Sequence, residues 1–137
     1  MVDDHENDIL LTKLGLKRAG LTFPIHSVTG GLQAIAFLNG DPPYQDRARY
    51  PLPFLVLLDI KMPQVDGFEV LRWIRRQPQF ADLPVVMLTG SGDSRQADTA
   101  RQLGATSCFV KSFDLTDAAE LSGSIKRLMV TPSPPAT

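Results

Sequence analysis

An α/β fold, a parallel sheet covered by helices on both faces, is the architecture this sequence predicts, and three observations predict it. Helical and strand patterns alternate along the chain, with no internal repeat. Two runs, residues 54–58 and 84–88, are continuously apolar, as strands buried on both faces are. The alternation fits within 137 residues, the size of one domain able to bury its own core. Strands joined by crossover helices satisfy all three.

The elements follow in order. A first helix is expected from about Glu6 to Arg18, with Leu10 and Leu14 one turn apart and Gly20 just beyond its end. A short strand is expected near residues 25–29. A second helix covers roughly residues 32–39, with Leu32, Ile35 and Ala36 at helical spacing and Gly40 to end it. Residues 41–53 form a polar, proline-rich loop, long for an α/β connection, and loops of that length are often functional. After the strand at 54–58, Asp66-Gly67 opens a third helix carrying Phe68, Leu71 and Ile74. After the strand at 84–88, Asp93 or Ser94 caps a fourth helix that ends at Gly104 and is poor in large apolar residues. Residues 107–110 are the last core strand. A fifth helix carries Ala118, Leu121, Ile125 and Leu128 on one face. Residues 1–130 are expected to form the one domain, and residues 131–137, with Pro132, Pro134 and Pro135, a disordered tail.

Composition narrows the function. The chain is 43% hydrophobic and 21% charged, ordinary for a soluble globular protein. A formal net charge of −1 gives no global field toward nucleic acid or an acidic membrane. No segment approaches the roughly 18 apolar residues of a membrane span. The opening Met-Val-Asp-Asp-His-Glu is acidic and is no signal peptide. Cys108 is the one cysteine, so no intrachain disulfide forms, which suits a reducing compartment. The expected location is the cytoplasm, with neither nucleic acid nor membrane as partner.

In an open parallel sheet, ligands bind beyond the carboxyl ends of the strands. Asp3-Asp4 follows Met1-Val2, Asp59 follows residues 54–58, Thr89 follows residues 84–88, and Lys111 follows residues 107–110. Three carboxylates, a hydroxyl and an ammonium would therefore meet at one end of the sheet. Close carboxylates raise one another's pKa, and a divalent cation relieves the repulsion. Magnesium takes hard oxygen ligands, keeps several waters and uses one or two carboxylates beside phosphate oxygens. The triad reads as a Mg²⁺ site suited to phosphate. Phosphoryl transfer needs a nucleophile, a charge clamp and donors for the phosphoryl oxygens. A carboxylate can be that nucleophile, forming an aspartyl phosphate. Asp59, closing the central strand, is the best placed. Lys111 supplies a compact positive charge and Thr89 a donor.

These residues resemble the receiver domains of two-component response regulators, over essentially the whole chain. Asp3-Asp4 is similar to the family's acidic metal pair. Leu57-Leu58-Asp59-Ile60-Lys61-Met62-Pro63 with Asp66-Gly67 is similar to its phosphoacceptor strand and loop, and Thr89 and Lys111 stand at its spacings after Asp59. The loop at 40–52, with Tyr44, Arg47 and Arg49-Tyr50-Pro51-Leu52-Pro53, resembles single-domain regulators paired with phytochrome-type sensor kinases. The resemblance implies a flavodoxin-like (βα)5 sheet of strand order 2-1-3-4-5. It implies a protein that is no enzyme beyond its own phosphorylation and dephosphorylation on aspartate. Asp59 would accept a phosphoryl group from a histidine kinase. Asp4 would bind Mg²⁺ directly, Asp3 mainly through water, and the backbone carbonyl of Lys61 would be a further ligand. Thr89 would bond the phosphoryl oxygen and move on activation, and Lys111 would pair with the phosphoryl group. Other partners implied are a histidine phosphotransfer protein and a second copy, docked through the fourth helix, last strand and fifth helix.

Three departures stand beside the resemblance. Only Met1 and Val2 precede the acidic pair, so the first strand is very short or missing. Ser112 stands where the family usually has a proline, often in cis, and a non-proline cis bond costs roughly 2.5–4 kcal/mol. Cys108 stands where the family has an aromatic switch residue; Phe109 follows it but should face the other way. These departures motivate an alternative, a receiver-like docking module that works without phosphorylation. Enzyme classes fare worse. There is no G-x-x-x-x-G-K-[ST] phosphate loop, and Gly90-Ser91-Gly92 lacks the third glycine of a dinucleotide fingerprint. Hydrolases of the haloacid dehalogenase type need a second acid two residues after the nucleophile, and Lys61 stands there. His5 is expected to be exposed beside the acidic pair, and Arg72, Arg75 and Arg76 to form a solvated helix face.

Overall fold

Among the described residues three strands make the sheet. The computed structural model describes residues 1–90, 92–111 and 115–130. Strands β1 (Val56–Asp59), β2 (Val85–Thr89) and β3 (Ser107–Val110) pair in parallel in the order β1-β2-β3. Their register sets Asp59 opposite Leu88 and Thr89 opposite Val110. β1 and β2 are buried at every residue. β3 is half-buried and its Val110 exposed, as suits the outer strand of the ladder.

Alternate strand residues face opposite ways, and the core divides accordingly. Val56, Leu58, Val85 and Met87 pack with residues of α2 (Gly31–Asn39), α3 (Gly67–Arg76) and α4 (Ser94–Gln102), among them Ala34, Leu71, Ile74 and Ala100. Leu57, Val86 and Leu88 pack with Leu16 of α1 (Glu6–Arg18) and with Leu121 and Ile125 of α5 (Leu115–Val130). Helices therefore cover both faces, as the alternation predicts. A 3₁₀ turn at Pro78–Phe80, unforeseen in the sequence, buries Phe80 behind α3.

The first strand is reduced to a bridge. Val2 pairs in parallel with both Val28 and Leu58. Its N–H donates to Leu57 O at 2.7 Å, and its carbonyl accepts from Asp59 N–H at 2.9 Å. On the other side Val28 N–H donates to Met1 O and Asp3 N–H to Val28 O. The strand expected at residues 25–29 is likewise one bridge, because Met1-Val2 offers it no longer ladder. Below Met1 the space between Ile25, Phe37, Leu55 and Ile125 is an apolar cavity of about 410 Å³.

Several expectations change in detail. α1 buries Ile9 and Leu16, whereas Leu10 is 65% exposed and Leu14 is exposed too. Likewise α2 buries Ala34, Phe37 and Leu38 and exposes Leu32. Spacing sets a helix's period, and packing against the sheet sets its phase. Arg75 is not on a solvated face: its guanidinium donates to the carbonyls of Gly104, Phe80 and Ala81. The loop after α2 is fastened by Arg47, which donates to the carbonyls of Phe37, Leu38 and Tyr50 while Tyr44 and Tyr50 pack on Phe37. The tail expected at 131–137 lies outside the described residues, as does Ser112.

Candidate acidic site at the strand ends

Each functional side chain is delivered by the end of a strand or bridge. Asp59 is the last residue of β1 and is 4% exposed. The bridge at Val2 sets Asp3 and Asp4 beside it. Thr89 ends β2, and its carbonyl accepts the N–H of Lys111, which returns the chain leaving β3 to the site. Asp66 caps α3 by accepting Glu69 N–H. Gly67 is required by a close approach: a β-carbon there would overlap the Asp59 carbonyl oxygen and stand 2.9 Å from Ile60 Cα.

Lys111 is the centre of the charge arrangement. Its Nζ donates to Asp3 Oδ2 at 2.6 Å and to Asp8 Oδ2 at 3.1 Å, and lies 3.5 Å from Asp59 Oδ1. Asp3 is fully buried, and its other oxygen accepts His5 N–H at 2.9 Å. Burial pushes the Asp59 carboxyl up to about 6; Lys111 opposes this, while Asp3 and Asp4 add to it. Burial also works against the charge on Lys111, but hydrogen bonds to Asp3 and Asp8 and the charge of Asp59 outweigh it, and its pKa is raised.

The residues present fit a hard cation. Ligand atoms of Asp3, Asp4, His5 and Asp59 all lie within 4.8 Å of one another. Asp4 Oδ1 is buried and accepts no hydrogen bond, although His5 Nδ1 stands 3.1 Å away. An acceptor oxygen left so, among carboxylates whose charge one lysine does not balance, is what a divalent ion would satisfy.

The site thus brings together Asp3, Asp4, Asp59 and Lys111, with Thr89 at the neighbouring strand end. Lys61, exposed between buried Ile60 and Met62, lies two residues past Asp59 on the connection to α3. Cys108 packs with the core on the α3–α4 side and Phe109 with the opposite cluster, so Phe109 does not replace it. Burial raises the Cys108 thiol pKa, as in a small packed hydrophobe. His5 stands exposed beside the acidic pair, where the sequence put it, and two residues join that the sequence did not single out, Asp8 and Gln96. His5, 64% exposed, reaches Asp4. Asp8 reaches Lys111, although an acid in the first turn of a helix ordinarily reads as a partner for the helix dipole. Gln96 accepts the Thr89 hydroxyl. No motif marks Asp8 or Gln96.

Comparison with known proteins gives one answer. The pattern of the response regulator receiver domain matches residues 1–121. Response regulator Rcp1 of Synechocystis sp. is 32% identical over 117 residues, 85% of this chain and 78% of Rcp1. A Mn²⁺-bound crystal structure of Rcp1 aligns with a TM-score of 0.78 at 31% identity, covering 98% of this chain and 96% of that one. Response regulator RPA3017, from red light signalling of R. palustris, aligns at 0.86 and 30% identity, covering 99% and 96%. The phosphorylated cyanobacterial phytochrome response regulator RcpA aligns at 0.81 and 27% identity, covering 98% and 95%. Among the described residues no helix is long and apolar enough to cross a membrane.

Proposed function

This chain belongs to the response regulator receiver domain family, and on that premise we propose that Asp59 is the phosphoacceptor of the phosphorelay in which it serves. The observation that carries the assignment is the convergence on buried Asp59 of Lys111 and the Asp3-Asp4 pair. The receiver unit is assigned to residues 1–130. As a member of this family it is a signalling protein, and its own chemistry is confined to gaining and losing a phosphoryl group.

Asp59, anionic at neutral pH with its carboxyl near 6, attacks the phosphorus of a kinase phosphohistidine in line. A P–O bond to the carboxylate forms, the P–N bond breaks, and the histidine leaves. Lys111 neutralises charge on the carboxylate and then on the phosphoryl group. Thr89 turns its hydroxyl from Gln96 to a phosphoryl oxygen. Asp4 directly, Asp3 through water, Asp59 and the backbone carbonyl of Lys61 would hold Mg²⁺, which when bound offsets the carboxylate repulsion and the phosphate charge. Mn²⁺ in the Rcp1 structure supports a divalent ion here.

The new charge shifts a pre-existing equilibrium at α4 and β3. α4 suits a movable element, since it buries only Ala100. Cys108, in the position of the family's switch aromatic, makes the coupling of Thr89 to β3 weak. Output passes through the face formed by α4, β3 and α5, to a partner or a second copy. The kinase is a sensor histidine kinase, of phytochrome type by likeness to RPA3017 and RcpA, and a histidine phosphotransfer protein is a further partner. We place the protein in the cytoplasm, with neither nucleic acid nor membrane as partner. The phosphorylation-independent docking module is not favoured: the relatives are response regulators, and the convergence of Asp3, Asp4 and Lys111 on Asp59 supports the phosphoacceptor reading.

Intact-mass analysis after incubation with Mg²⁺ and acetyl phosphate tests the assignment. The wild type should gain one phosphoryl group and Asp59→Asn none. Uptake by Asp59→Asn at the wild-type level would sink it.

A further inference from the structure

Lysine Nζ carries three N–H donors, and among the described residues three carboxylates stand around Lys111 to receive them. Asp3 lies at 2.6 Å, Asp8 at 3.1 Å and Asp59 at 3.5 Å. Asp3 comes from the bridge at Val2 and Asp59 from β1. Asp8 comes from elsewhere, the first turn of α1, and is not among the residues whose ligand atoms cluster for a cation. Its side chain is 27% exposed, so water can solvate it when a bond is lost. Asp8 also stands 3.9 Å from His5 Nδ1, too long for a hydrogen bond.

We propose that Asp8 is a positioning residue: it anchors the Lys111 ammonium from α1, so that with Asp3 taking a second N–H the third is held toward Asp59. The inference rests on the reading of Asp59 as acceptor. A lysine is a compact charge on a flexible four-carbon stem. Anchored by Asp3 alone, its Nζ can swing about that one contact. A second carboxylate from a different element fixes it on two sides before the phosphoryl oxygen arrives, and preorganised charge stabilises a transition state without rearrangement at the moment of reaction. Asp8 touches no reacting atom; it acts through Lys111. The plainer role for an acid here, balancing the dipole of α1, involves Lys111 not at all.

That difference makes the test a double-mutant cycle on acetyl phosphate labelling at saturating Mg²⁺. Asp8→Asn should lower the rate at saturating acetyl phosphate on the order of tenfold, with the half-saturating concentration unchanged. Asp8→Glu should recover part of the loss. In a Lys111→Met background, Asp8→Asn should have no further effect. A wild-type rate in Asp8→Asn, or an equal slowing with and without Lys111, overturns the proposal. NMR of the Lys111 ammonium hydrogens supplies a readout that needs neither metal nor turnover. They should be protected from exchange in the wild type and in Asp59→Asn, and lose protection in Asp8→Asn; retained protection again overturns it. If the wild type takes no phosphoryl group, the acceptor reading fails, and the NMR comparison still decides whether Asp8 anchors Lys111.

Discussion

The hydroxyl of Thr89, at the end of β2, donates a hydrogen bond to the side-chain amide oxygen of Gln96 in the first turns of α4. On the proposed role of Thr89, its turn to a phosphoryl group breaks this bond, and Gln96 opposes that turn. Gln96→Ala should therefore favour the phosphorylated state. One net hydrogen bond is worth about 0.5–1.5 kcal/mol, so the phosphorylated fraction at limiting acetyl phosphate should rise by up to roughly tenfold in ratio. Quantifying phosphorylated and free protein by intact mass checks this; an unchanged ratio would show that the bond does not oppose the switch.

Asp59 gives a pH-dependent prediction. Its carboxyl sits near 6 in the folded chain against an ordinary 3.8, chiefly through burial, with Lys111 opposing. Between these values the folded state holds a proton that the unfolded state has lost, so stability falls as pH rises from about 4 to about 6 and the loss persists above. Asp59→Asn removes that loss. At pH 7.5, without divalent ions, the variant should be more stable than wild type by up to about 3 kcal/mol, as two pKa units allow. The difference should shrink below pH 4, where both side chains are neutral. Denaturant melts at pH 7.5 and 3.8 measure both ends, and a variant less stable at pH 7.5 would contradict the argument.

Gly67 couples the backbone of Asp59 to the start of α3. A methyl group there meets the Asp59 carbonyl and Ile60 Cα, backbone that cannot turn aside as a side chain can. Gly67→Ala should cost on the order of 1–3 kcal/mol of stability, as overpacking does, and displace Asp59. The expected result is a lowered Tm together with a labelling rate below wild type at a temperature where the variant is folded. Wild-type labelling would show that the acceptor tolerates the shift.

How much of this was legible depended on where each signal resides. Asp59 and Thr89 could be read because continuous apolar runs locate their strands, Lys111 because it follows the last short strand, and strand ends in a parallel sheet converge. Helix existence was equally plain, but the buried face of α1 was not: Leu10 and Leu14 show the right period and point outward, while Ile9 and Leu16 face the sheet. Arg75 read as solvated because its partners, the carbonyls of Phe80, Ala81 and Gly104, are brought to it by tertiary folding. Asp8 and Gln96 stayed hidden for the same reason. Each sits on a helix beside the site, and only the packing of that helix shows which residue it turns inward.

Asp4 yields the prediction that bears on the metal. Its buried Oδ1 accepts no hydrogen bond, within reach of Asp3 and Asp59. A cation that binds the folded chain alone raises its stability by RT ln(1 + [L]/Kd). Wild type should therefore melt progressively higher as Mg²⁺ is added, by about 2.7 kcal/mol at a hundredfold excess over Kd. Asp4→Asn should act in two directions. Without metal it relieves repulsion with Asp3 and Asp59 and should equal or exceed wild type in Tm. With Mg²⁺ it should show little further rise, because a neutral amide is a weaker ligand than a carboxylate for a hard ion. The curves of Tm against Mg²⁺ for the two proteins should cross. Parallel curves would mean that Asp4 is not a ligand, and that a bound ion is held by the other groups of the site.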